Sequence, residues 1–182
     1  MGHYGGIDVV INNAGIMFER SIPAISVAEW DLMMAINLRA PLFLAQAALA
    51  HMRKRGGGSI INIGSIEGLA ANPGHADYYA SKAGIHGMTR AMAVDHGEEN
   101  IRCNAIAPGW IGSELSDIYL ATLPEPDAAR DALNRLHPLG RVGRPEDVGD
   151  LAVYPGSERS RFLTGEIIVL DGGRTAKLPL PS

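Results

Sequence analysis

Apolar positions along the chain fall into two kinds of run. Ile7–Asn12, Ser59–Ile63, Ile101–Ala107 and Glu166–Leu170 are short and apolar throughout, the pattern of strands covered on both faces. Between them apolar residues recur every three to four positions, which predicts helices from about Ala28 to Arg55, from about Ala76 to His96 and near Pro145–Tyr154. Strand and helix alternate, so a parallel α/β sheet is the economical arrangement. Ser26 with Glu29 forms a capping box before the first helix, and Gly56-Gly57-Gly58 ends it. His96-Gly97 closes the second, and Pro155 is expected to stop the third, because proline lacks the amide a helix needs. The segment Pro108–Gly140 is broken by Pro and Gly into short helical pieces. It leaves the C-terminal end of a strand, where open α/β sheets bind ligands, and is expected to be a mobile substrate loop.

With 182 residues, the chain has the length of one domain, taken as 1–182. Its 46% hydrophobic and 20% charged residues are those of a globular protein. A net charge of −4 and a pI near 5.8 leave no basic surface for nucleic acid, and Arg53-Lys54-Arg55 suits a helix C-terminus facing its dipole. Cys103, the lone cysteine, lies in an apolar run where a thiol fills space, so no disulfide forms within the chain. No segment reads as a membrane span or a secretory leader, so the expectation is a cytoplasmic protein without a membrane partner.

Tyr78 and Lys82 are one turn apart on a predicted helix, with their side chains on one face. A phenol of pKa about 10 needs a nearby cation to work as an acid or base at neutral pH, and an ammonium supplies one. Taken alone, the spacing fits any exposed Tyr and Lys. Ser65 follows a strand, thirteen positions before Tyr78, and either caps the next turn or donates a hydrogen bond to a substrate carbonyl. Pro41 cannot donate its backbone bond, so the carbonyl of Asn37 is left without its helical partner. That vacancy is either a kink or a port for a water relaying protons to Lys82.

These residues, with Asn12-Asn13-Ala14-Gly15 after a strand, Pro108-Gly109 after another and Asp171-Gly172-Gly173 near the end, resemble the short-chain dehydrogenase/reductase pattern in order and spacing. The match runs from about Gly5 to Gly173. The resemblance implies a doubly wound, Rossmann-like parallel sheet and hydride transfer between NAD or NADP and a small carbonyl/alcohol pair. It gives Tyr78 the proton, Lys82 the tuning of that phenol and the nicotinamide ribose, Ser65 the carbonyl, and Asn37 the water. It also implies cofactor contacts from Asn12, Ala14 and Gly15, and from Pro108, Gly109, Ile111 and Ser113, where Ser113 stands in place of the more usual Thr. No metal is called for, and a homo-oligomer, dimer or tetramer, is expected. Its contacts would come from Ala80, Ala83, Gly84 and Gly87, the C-terminal strand and Leu178-Pro179-Leu180.

The resemblance also implies an opening glycine-rich turn and helix that hold the pyrophosphate, and the chain contains no such motif. On that reading it is the C-terminal two-thirds of the fold, lacking three strand–helix units, roughly 75 residues. Cofactor binding by the chain as given is then expected to be weak, NAD and NADP are indistinguishable, and Ile7–Asn12 becomes an edge strand. Three function classes stay open: a carbonyl reductase or dehydrogenase; a non-catalytic remnant that keeps its oligomer interfaces and pairs with full-length relatives; and a flavodoxin-like binding module, which leaves Ser65, Tyr78 and Lys82 unexplained.

Overall fold

A computed structural model describes residues 5–178. Four strands, β1 (Val9–Asn12), β2 (Gly58–Ile63), β3 (Ile101–Pro108) and β4 (Ile167–Leu170), form one sheet in chain order, all parallel. The helices are α1 (Val27–Met34), α2 (Ala40–Arg55), α3 (Ala76–His96), α4 (Glu114–Ala121), α5 (Pro126–Leu136) and α6 (Pro145–Gly156).

Alternation along the strands divides the core between the two faces. Ile60, Ile101 and Cys103 meet Ala45, Ala48 and Met52 of α2 and Met92 and Ala93 of α3. Ile61 and Ile106 meet Ala152 of α6 on the other side. Helices therefore cover both faces, as the sequence pattern predicts. Cys103 is fully buried and free, and burial pushes its thiol up to about 12, so it behaves as a small apolar side chain. β1 is the sheet edge, and its Val9 and Ile11 are exposed.

The first predicted helix differs from expectation in one instructive way. It starts at its capping box, where Ser26 Oγ accepts from the Glu29 amide at 3.2 Å and the Glu29 carboxylate accepts from the Ser26 amide at 3.0 Å. It is then interrupted by a π-turn, Ala35–Arg39, before continuing as α2. The Ala40 amide donates to the carbonyl of Ala35, five residues back, and Pro41 next offers no amide, so the wide turn sits where the α-helical ladder lacks a donor. Gly56, left-handed at φ 84°, ends α2, with Arg53, Lys54 and Arg55 in its last turn.

Two other expectations are corrected. Val27–Arg55 is long and apolar enough, by length and composition, to cross a bilayer. Ala45, Ala48 and Met52 pack on the sheet, while Val27, Leu32, Leu42, Phe43 and Leu44 on the same segment are exposed. Pro155 does not stop α6, which runs on to Gly156, and the Pro155 carbonyl accepts from the hydroxyls of Ser59 (2.8 Å) and Ser160 (3.1 Å). Of the two glycines expected at a subunit contact, Gly84 lies against the chain's own π-turn, where a Cβ would come within 2.9 Å of Leu38 Cδ2, and a Cβ on Gly87 would meet nothing within 4 Å. Pro179 and Leu180, expected at such a contact, lie outside the described residues.

Candidate active site

A cleft of about 230 Å³ opens at the C-terminal ends of all four strands, where loops leave a parallel sheet and ligands bind. Asn13 and Gly15 reach it from the loop after β1, Gly64 and Ser65 after β2, Pro108 and Gly109 after β3, and Arg174 after β4. Tyr78 and Lys82, from the first two turns of α3, complete the wall.

The elements that place these side chains are tied by specific bonds. Asp77, fully buried in the first turn of α3, accepts from the Tyr78 amide at 2.8 Å and so fixes the helix start. Ser65 Oγ accepts from the Glu67 amide at 3.0 Å and caps the short turn Ile66–Gly68. The capping reading of Ser65 therefore holds, and because the oxygen accepts in that bond, the hydroxyl proton is not used by it. Gly64 and Gly68 close on the buried ring of His86, and a Cβ at Gly68 would approach His86 Cε1 to 2.5 Å. This clasp sets the height of Ser65 above α3. Gly109 is required by close approach, since a Cβ there would lie 2.9 Å from the Asp171 backbone.

Asn37 is 1% exposed and works through its side chain. Its Oδ1 accepts from the Ile16 amide (2.8 Å), and its Nδ2 donates to the Ile16 carbonyl (2.9 Å) and to Ser81 Oγ (3.1 Å). It thus pins the loop after β1 to α3. Asn37 Oδ1 and Lys82 Nζ lie 3.4 and 3.5 Å from the point a Cβ on Gly15 would occupy, so glycine leaves open space beside the ammonium.

Electrostatically, the site differs from the expected one. Burial pushes Tyr78 up to about 12; Ser65 pulls the phenol down and the charge of Glu67 pushes it up further. Burial lowers Lys82 to about 8. Its Nζ lies 5.6 Å from the Tyr78 ring centre and donates to the Ile63 carbonyl at 3.0 Å. The sequence argument has Lys82 lowering Tyr78; here the ammonium is turned toward a carbonyl, and desolvation of the phenol prevails.

Of the residues singled out in the sequence, Gly15, Ser65, Tyr78, Lys82, Pro108, Gly109, Ile111 and Ser113 line the cleft, whereas Asn12, Ala14 and Asn37 do not. Asn12 is buried and donates to Asn62 Oδ1 at 2.7 Å, which makes it a tie between β1 and β2. Ala14 is exposed. The Ser113 hydroxyl caps α4, accepting from the Ser116 amide at 3.3 Å. Glu67, Trp110, Ser116 and Arg174 also line the cleft and escaped the sequence reading. A charged Glu67 inside the apolar stretch after β2 was the available signal for the first.

A family model described as enoyl-(acyl carrier protein) reductase matches residues 1–175. The chain is 40% identical over 170 residues to the 3-oxoacyl-[acyl-carrier-protein] reductase FabG of Thermotoga maritima, covering 93% of this chain and 67% of that protein. It is 40% identical over 182 residues to a protein of Bradyrhizobium diazoefficiens described as a short-chain type dehydrogenase/reductase, covering 97% and 63%. A gluconate 5-dehydrogenase of Burkholderia cenocepacia, solved with NADP and tartrate, superimposes with a TM-score of 0.89 at 34% identity, covering 96% of this chain and 67% of that one. The chain spans about two thirds of the length of the curated relatives it matches.

Proposed function

Because this chain belongs to the short-chain dehydrogenase/reductase family, we propose that it is an NAD(P)-dependent oxidoreductase that interconverts a small ketone and its alcohol, with Tyr78 as general acid/base. The observation that carries the reading is the meeting of Ser65, Tyr78 and Lys82 on one cleft at the C-terminal ends of parallel strands. Names among the relatives favour carbonyl over enoyl chemistry, despite the family model's description, and so does a Ser65 hydroxyl free to hold a carbonyl oxygen.

The residues fit a nicotinamide nucleotide. Lys82 is 5% exposed and spends one of its three N–H donors on Ile63, so the others suit the hydroxyls of a ribose laid over Gly15. When bound, the reduced nicotinamide supplies the hydride. Ser65 and Tyr78 hold the carbonyl oxygen, and the Tyr78 hydroxyl gives up its proton as negative charge develops there. With burial holding it near 12, the Tyr78 phenol carries its proton at neutral pH, the form that donates to a carbonyl oxygen. Lys82, held near 8, is still largely protonated at pH 7 and can compensate the tyrosinate left behind.

The chain acts in the cytoplasm on small molecules and associates with copies of itself. Support for association comes from the exposed apolar side chains of Val153, Phe162 and Val169 around α6 and β4. Oxidation of NADH and NADPH by the purified protein against a panel of ketones tests the activity. Turnover that depends on the ketone is expected when NADH or NADPH is raised to saturation, and reduction of enoyl compounds alone would refute it.

A further inference from the structure

Glu67 stands two residues after Ser65, inside the cleft wall, with a side chain only 12% exposed. Burying a carboxylate is costly unless hydrogen bonds satisfy it. One oxygen is satisfied: His75 Nδ1 lies 2.7 Å from Oε2, and since a carboxylate only accepts, the imidazole donates. His75 is itself buried, and its ring stands edge-on to Tyr78 with 6.3 Å between centres. Among the described residues no protein donor meets the other oxygen, Oε1. Catalysis as described above gives this braced carboxylate no task.

We propose that Glu67, held by His75, is a specificity residue that accepts a hydrogen bond from a hydroxyl on the carbon next to the reacting carbonyl, so that the preferred substrates are α-hydroxy ketones. The placement follows from one short turn. The Glu67 amide donates to Ser65 Oγ at 3.0 Å, so the carboxylate and the carbonyl-holding hydroxyl move as one piece. Glu67 and His75 bracket Tyr78 and Ser65 on the same wall, through the His75 ring edge-on to Tyr78 and the Glu67 amide on Ser65. With the carbonyl held between Ser65 and Tyr78, a donor that reaches Oε1 is placed on a neighbouring carbon. The His75 brace prevents the carboxylate from swinging away, which is the preorganisation that makes such a contact selective. This inference deepens the carbonyl reading and rests on it.

Hydroxyacetone and butanone are near-isosteric and differ at this hydroxyl, so their ratio of kcat/KM reads the contact and cancels any general loss. Wild-type protein should favour hydroxyacetone. Glu67→Leu should shrink that preference by about ten- to a hundredfold, the size of a hydrogen bond to a charged group, and Glu67→Gln, which keeps an acceptor oxygen, should retain part of it. An unchanged ratio in Glu67→Leu overturns the proposal. So does an equal loss on both ketones with a displaced pH profile, which would make Glu67 a tuner of Tyr78. If neither ketone is reduced, the carbonyl reading falls separately. Saturation-transfer NMR of both compounds then decides the recognition claim: tighter binding of hydroxyacetone that Glu67→Leu abolishes upholds it, and equal binding refutes it.

Discussion

Replacing Gly64 with alanine drives a methyl group into the His86 ring, onto Nε2, with Cδ2 at 2.9 Å and the Ile106 carbonyl at 3.3 Å. The ring cannot retreat, because it is 3% exposed and Gly68 presses on its other edge. Either the ring or the Ser65 turn must move, and overpacking of this kind costs about 1–3 kcal/mol. For a chain of this length each kcal/mol lowers the melting temperature by about 2–4 °C, so a fall of about 2–12 °C is expected. His86→Ala supplies the internal test. Among the described residues neither buried ring nitrogen has a well-aligned hydrogen-bond partner, so the ring contributes chiefly packing. Removing it makes room for the new methyl, and Gly64→Ala should then cost about 1–2 kcal/mol less in the His86→Ala background. Gly68→Ala should be rescued less, because its Cβ also meets the Lys82 backbone carbon at 2.9 Å, which His86→Ala leaves in place. Urea unfolding of the three single and two double variants measures both couplings. Additive costs at Gly64, or equal rescue at both glycines, would refute the clasp.

Lys82→Met should stabilise the fold at pH 7. A lysine depressed from 10.5 to about 8 binds fewer protons folded than unfolded between those values, so stability rises with pH across that window; below it the buried charge costs on the order of 3 kcal/mol. The gain from Lys82→Met should vanish by about pH 10.5, and urea unfolding at several pH values checks it. Asn37→Ala strips the Ile16 amide and carbonyl of their buried partner and should cost about 2–4 kcal/mol by the same assay. Sedimentation at micromolar concentration should show an oligomer, and a clean monomer would contradict the proposed association.

The sheet was legible because β2 and β3 are buried almost throughout, so their sequences are largely apolar, interrupted by Ser59, Asn62, Arg102 and Asn104. α3 was legible through its period, although five of its eight buried residues are polar: Asp77, Ser81, Lys82, His86 and Thr89. The catalytic spacing could be read for the same reason, since one turn of helix fixes it. What escaped depends on contacts between segments. The Glu67–His75 pair is joined by the path of a loop, and no periodicity reports it. The π-turn announced itself only through Pro41, and α4 and α5 were obscured by the Pro and Gly residues around them. The direction of the Tyr78 shift needed burial, which spacing alone does not give: a cation four residues away reads as a stabiliser until its ammonium is found on the Ile63 carbonyl.

The central claim is that Tyr78, and not its neighbour, delivers the proton. Ketone-dependent oxidation of NADPH or NADH, with cofactor raised until the rate no longer increases, should be nearly abolished in Tyr78→Phe while cofactor affinity is kept, and should survive in Tyr79→Phe. Full activity in Tyr78→Phe with loss in Tyr79→Phe would contradict the account.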